Sequence, residues 1–320
     1  MEFERVVLGS RAVPRPRWVW VWVLVPLLGA AELVAYWVFA GRAPRPDAWK
    51  EAREQVLPLR RRSELLVVAP SWAEPLARQA FGEELMPLAD VARPDASGRT
   101  RAIEVSILGQ RADEVAGWRE TSRKRHGAFE FRVLENPKPV QVRFDFVEGL
   151  APERARVTEL LPGGERECAW NARAPISSGS LPSPPTFPAR RFQCQGGDYF
   201  FVGVTVIDDE NYRPRRCIWA HPTGPHALRI RFAQVTLGST VRGYGMFPWL
   251  ILRDSMGTPL QLHVAIAGQR IGTFVYRDGQ GWTGFEFPTG KYRGQRADVD
   301  FEVSSENIHN RHFCFQADTR

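Results

Sequence analysis

Residues 18–40 read WVWVWVLVPLLGAAELVAYWVFA, and how this stretch is read decides where the rest of the chain folds. Its 23 residues carry one ionisable group, Glu32. As a helix rising ~1.5 Å per residue it would span roughly 34 Å, enough for a bilayer's ~30 Å hydrocarbon core. Trp18, Trp20 and Trp22 crowd one end and Tyr36 and Trp37 lie near the other, where amphipathic rings favour the headgroup boundary. The expectation is a single membrane-spanning helix. A cleaved leader would have a shorter apolar run and a small-residue cleavage site, and Val38-Phe39-Ala40 fits that poorly. A core helix this long with no polar face would be unusual in a soluble domain.

Working outward, residues 1–17 form a short N-terminal tail and residues 41–47 a Pro-containing stalk. Arg residues flank the helix on both sides, so the positive-inside rule alone does not orient it. The large body on its C-terminal side is expected to be exported, on the outer side of a bacterial inner membrane. Pro26 can kink the span. Glu32 would be costly facing lipid, which suggests an intramembrane contact with a partner helix, or else a protonated carboxyl.

Composition bounds the body. The net charge is +7, and only four of the 43 basic residues are Lys (50, 124, 138 and 291). The Arg are scattered rather than gathered on one motif, so no nucleic-acid partner is expected. With 25 Pro, 27 Gly and many short alternating runs, the body reads as mainly β, in two domains. The first, residues 48–212, opens as an α/β unit. Asp47 is placed to cap a helix from Ala48, Pro58 should end it, and Leu65–Ala69 reads as a buried strand. A second helical stretch, PLARQAFGEELM, runs up to Pro87. Phe129–Leu134 and Val140–Val147 alternate apolar with polar and flank the NPKP turn at Asn136–Pro139, as a hairpin would. Residues 171–190 form a Pro- and Ser-rich loop. The second domain, residues 213–320, holds about eight short strands with Gly/Asp turns, the pattern of a jelly-roll-like β-sandwich.

The pattern helix, LLVVAP, SW, EPLARQAFG within Trp49–Gln110 resembles extracytoplasmic domains of glycosyltransferases that use lipid-linked sugars, and the whole layout is similar to uncharacterised bacterial single-span envelope proteins. The strand pattern from CIWAHP (217–222) to RHFCFQA (311–317) resembles galactose-binding-like domains and carbohydrate-binding modules. That second resemblance implies that an early strand pairs with a late one beneath ligand loops.

Four cysteines allow three pairings. Cys168–Cys194 would close the Pro-rich loop and Cys217–Cys314 would lock the ends of the last domain, in keeping with an oxidising compartment. Free buried thiols are the other possibility. No CxxC spacing, catalytic motif or ligand cluster occurs, so neither a metal nor another cofactor is expected. Candidate glycan-binding residues are therefore loop aromatics and polar neighbours: Trp282, Trp249, Asp278, Asn307, Asn310, Arg311 and His221. In WTGFEF, Trp282, Gly284 and Glu286 share one face and Thr283, Phe285 and Phe287 the other, so a buried Phe pair would put Trp282 outside.

The sequence thus predicts one transmembrane helix, a small α/β unit plus β-sheet, and a β-sandwich. The matching activity is a membrane-anchored, non-catalytic accessory protein that binds glycan or assists polysaccharide assembly. Alternatives are a structural subunit docking on a larger membrane complex through the helix and sandwich, or an exported carbohydrate-active enzyme.

Overall fold

A computed structural model describes residues 19–40, 44–61, 64–176, 187–223, 226–248 and 257–320. Helix α1 (Val19–Ala40) is apolar apart from Glu32, and its residues from Val21 to Val38 are exposed, with none of that stretch buried among the described residues. A core helix would be buried, so that reading is set aside; length and composition suit both an anchor and a leader. Glu32 is exposed on this helix.

The α/β unit follows: α2 (Pro46–Val56), β1 (Leu65–Ala69), α3 (Glu74–Leu85), α4 (Leu88–Val91), β2 (Arg101–Ile107), β3 (Arg119–His126) and β4 (Phe129–Glu135). Helix α2 starts two residues earlier than expected, with Pro46 in its first turn, where the missing N–H costs nothing. Asp47 is then a first-turn residue rather than the cap. A single 3-10 turn, Leu57–Leu59, ends the helix at Pro58. Strand β1 runs parallel to β2, and the sheet order is β1-β2-β4-β3. The apolar run of β1 is explained by its two covered faces. Leu66 and Val68 meet Trp49 and Phe81 of the helices, while Leu65 and Val67 meet Ala96, Val115 and Leu134.

The remaining strands are β5 (Phe144–Asp145), β6 (Ala155–Leu161), β7 (Gly164–Glu167), β8 (Ala169–Asn171), β9 (Arg191–Gln193), β10 (Phe201–Asp208), β11 (Pro214–Ala220), β12 (Leu228–Thr236), β13 (Thr240–Met246), β14 (Leu260–Ile266), β15 (Gln269–Tyr276), β16 (Thr283–Pro288), β17 (Arg296–Ser305) and β18 (Cys314–Thr319). They form an antiparallel β-sandwich. One sheet runs β16-β13-β18-β11-β10-β9-β8 with β5 beside β18, and the other runs β15-β14-β17-β12-β6-β7. A single core from Phe146 to Ala317 fills the space between them. The first and last strands of the C-terminal stretch are neighbours, with Ile218 opposite Phe315 and Trp219 opposite Cys314. Both expected disulfides are present, Cys168–Cys194 and Cys217–Cys314, with Cα–Cα distances of 4.4 and 5.6 Å.

Two expectations are corrected, and one strand was missed. A domain boundary at residue 213 would cut the β10–β11 hairpin, in which Asp208 pairs with Pro214; the sandwich begins near Phe144 because β6 and β12 share one sheet. The hairpin across Asn136–Pro139 does not form. Strand β4 pairs with β2 and β3 instead, and β5 crosses to β18. Strand β3, RETSRKRH, was invisible to an alternation test because it is an edge strand exposed on both faces.

Candidate functional site

Asp278 and Arg311 come together beside the loop that carries Asn307 and Asn310, and this pair holds the protein rather than opening to solvent. The Arg311 side chain is 0% exposed; its Nη1 donates to Asp278 Oδ1 at 2.7 Å and its Nη2 to Oδ2 at 3.2 Å. The same guanidinium donates to the carbonyls of Thr258 and His309 and lies 4.6 Å over the Phe247 ring. Asp278 also accepts the Gly257 N–H at 2.7 Å. A charge taken out of water needs such complete pairing, and a group so enclosed cannot touch a glycan. Arg311 and Asp278 are therefore corrected from ligand contacts to a loop clasp. Asn307 is exposed and its side chain accepts the His309 N–H at 3.0 Å, while Asn310 ends the turn at φ 55°. Trp249 lies outside the described residues.

His221 is corrected in the same way. It is 5% exposed and its ring lies 4.7 Å from that of His312, in a cell walled by Tyr199, Phe200 and Trp219. Burial pushes the His221 pKa down to about 4 and that of His312 to about 3, and the positive charges of His221, His309 and Arg311 add to the depression of His312. His221 Nδ1 donates to the Pro222 carbonyl at 2.6 Å, which satisfies it as a neutral ring.

Trp282 is placed differently. Phe285 is buried in the core, Phe287 and Trp282 both pack against it, and Trp282 is half-buried, its indole nitrogen enclosed and without a partner among the described residues. Its ring is nearly parallel to that of Tyr244 (7°, centroids 5.7 Å apart). The two lie diagonally across the β13–β16 pair, in which Tyr244 opposes Gly284, a residue too small to separate them. The Arg215 guanidinium sits 5.6 Å from the Trp282 ring and that of Arg242 5.5 Å from the Tyr244 ring. Arg242 also donates to the Tyr244 hydroxyl at 2.7 Å, and Tyr244 donates to Asp95 at 3.3 Å. Glu210 accepts the backbone N–H of Trp282 at 3.2 Å. Burial and the neighbouring Asp95 raise the Tyr244 phenol pKa, so its proton stays available for donation.

Strand β13 brings Arg242 and Tyr244 to this face, and the sequence reading missed it. Its inward positions are Gly243 and Gly245, which hide the alternation. A Cβ on Gly243 would stand 2.4 Å from Phe285, and one on Gly245 2.6 Å from Phe313. The core rings occupy the space that apolar side chains would have filled.

The α/β unit meets the sandwich beside this face. Arg216 donates its N–H to the Ala92 carbonyl, and Arg320 bonds Ser97 and Asp95. Burial works against the Asp95 carboxylate, but Ser97 and Arg320 outweigh it and hold its pKa below the ordinary value. The Arg93–Asp95 segment lines two clefts, of about 290 and about 320 Å³. Gln316, 3% exposed, lines the first, and neither polar atom of its amide has a partner among the described residues.

No family model and no curated protein matches the chain. Among solved structures it is similar to the CBM51 module of Clostridium perfringens GH95 in complex with methyl-galactose, at 10% identity over 37% of this chain and 81% of that one, TM-score 0.28. It is also similar to the CBM51-2 and INT domains of ZmpB from the same organism, at 10% identity over 56% and 40%, TM-score 0.29. A third is the CBM22-1–GH10 pair of Clostridium thermocellum xylanase 10B with xylohexaose, at 10% identity over 37% and 24%, TM-score 0.25. These neighbours are carbohydrate-binding modules. At such scores they carry no argument about binding here, and the sandwich stands on its own strand pairing.

Proposed function

We propose that this chain is a membrane-anchored, non-catalytic glycan-binding protein of the cell envelope. Helix α1 is its anchor and the outer face of the β16-β13-β18-β11 sheet is its binding surface. The observation that carries the reading is the parallel Tyr244–Trp282 pair between two guanidinia on a half-open face. Sugar rings stack on such aromatic surfaces through their C–H faces, while arginine and carboxylate side chains bond the hydroxyls. The test is glycan-array binding by the full chain in detergent micelles, beside Trp282→Ala. Loss of binding with an unchanged melting temperature supports the reading; a variant that unfolds, or one that binds as before, refutes it. Retention of the intact chain in carbonate-washed membranes checks the anchor, and its release would refute it.

A second reading, docking onto a membrane complex, is favoured by one feature: Glu32 stands exposed midway along an otherwise apolar helix. Glu32→Leu would then abolish co-purification of a partner.

A further inference from the structure

Beyond the aromatic pair, the outer face continues into a cleft of about 590 Å³ lined by four arginines, Arg143, Arg242, Arg293 and Arg320, against one acid, Glu286. Its floor is the Thr236–Thr240 turn, where Gly238 lies against the backbone of Arg320 so closely that a Cβ would stand 1.8 Å from the carbonyl oxygen. Two of the arginines are committed. Arg320 is held by Asp318 and Asp95, and Arg242 by the Tyr244 hydroxyl with Asp95 at 3.7 Å. The other two are not. Arg143 and Arg293 are exposed and make no side-chain hydrogen bond or ion pair among the described residues. Other cations of the sandwich and the α/β unit are held by acids, among them Arg132 by Glu104, Arg231 by Asp300 and Arg229 by Glu302.

Uncompensated arginines facing one cavity concentrate positive potential there, and their planar forks match carboxylate and phosphate oxygens in pairs. Arg242 is common to both regions, since it lines the cleft and lies over the Tyr244 ring next to Trp282. A ligand stacked on the aromatic pair therefore has its neighbouring unit delivered to the arginines.

We infer that this cleft selects a sugar-borne anion, the carboxylate of a uronic acid or a sugar phosphate, so that the ligand is an acidic glycan. The inference rests on the glycan-binding reading and adds the ligand's charge to it. Single-stranded nucleic acid also combines stacking with negative charge, but a disulfide-bonded body belongs to a compartment where glycans are the polyanions at hand.

The test titrates the full chain, in nanodiscs of neutral lipid, with trigalacturonate, galactose 6-phosphate, neutral galactotriose and a 20-nucleotide oligothymidine. At 50 mM salt an acidic sugar is expected to bind at least tenfold tighter than galactotriose, and whichever acidic probe does so identifies the anion. The advantage should shrink at 500 mM salt, where screening shortens to a few ångströms. In Arg143→Gln/Arg293→Gln, which removes two exposed unpaired side chains, the melting temperature should hold while the acidic probe falls to the affinity of galactotriose. Equal binding of neutral and acidic sugars overturns the charge selection and leaves glycan binding standing. Binding of no sugar overturns both. Oligothymidine binding as tightly as the acidic sugars shows a general polyanion surface and overturns the inference.

Discussion

Replacing Asp278 by Ala removes the only carboxylate bonded to Arg311 among the described residues and leaves a guanidinium whose side chain is 0% exposed. The two carbonyls that Arg311 also bonds, on Thr258 and His309, supply hydrogen bonds but no net charge. Breaking a buried pair from one side costs about 3–5 kcal/mol, mostly as the penalty on the stranded charge. In a domain the size of residues 144–320, each kcal/mol shifts the melting temperature by about 2–4 °C, so the expected drop is about 6–20 °C. Asp278 keeps 13% exposure, so Arg311→Met strands the less enclosed partner and should cost less. The double variant Asp278→Ala/Arg311→Met should be more stable than the sum of the single losses predicts, by about 1–3 kcal/mol of coupling. Calorimetry and guanidinium melts of all four proteins close the cycle. A melting temperature within 2 °C of the parent for Asp278→Ala, together with lost glycan binding, would refute the clasp and restore the pair as ligand contacts.

Three further outcomes are expected. His221 and His312 have folded pKa values of about 4 and about 3, below the ordinary 6.5, so the unfolded chain takes up their protons first. Their contribution is full above pH 6.5 and is lost as the pH falls toward 4, by up to about 1.4 kcal/mol per unit for each. Thermal melts between pH 7 and 4.5 should slope downward, less steeply in His221→Gln; a flat parent profile would count against the buried neutral pair. Removing the Cys217–Cys314 bridge, which spans 97 residues, should cost about 4.7 kcal/mol, against about 3.5 for Cys168–Cys194, which spans 26, from the chain entropy each denies the unfolded state; denaturant midpoints of the two double Cys→Ala variants in the reverse order would contradict this. Gly243→Val should destabilise the sandwich severely, because its side chain would enter the space of Phe285, and a soluble, fully folded variant would show that β13 can move away.

Much of the architecture was legible because it rests on local pattern. The apolar run 18–40 reads as a helix whatever surrounds it, and α1 occupies Val19–Ala40. The LLVVA run is buried on both faces, as an unbroken apolar strand requires. Charge and spacing were poorer guides to the site. Asp278, Asn307 and Arg311 look like sugar contacts when seen as polar residues on loops, yet two of them neutralise each other inside the fold. Nothing in a linear sequence says which of 39 arginines has an acid opposite it.

What the sequence determined by itself was composition-driven: one helix apolar enough to cross a bilayer, a mainly β body, and the cysteines with the spacing to staple it. What only the tertiary structure decided was which strands belong together and which side chains face one another. The sandwich begins near residue 144 because β5 and β6 find distant partners, β18 and β12, and no local rule encodes such a pairing. The Tyr244–Trp282 pair and the arginine-lined cleft exist for the same reason. Their members are brought together by sheet register, a property of backbone hydrogen bonds between distant strands rather than of any one segment.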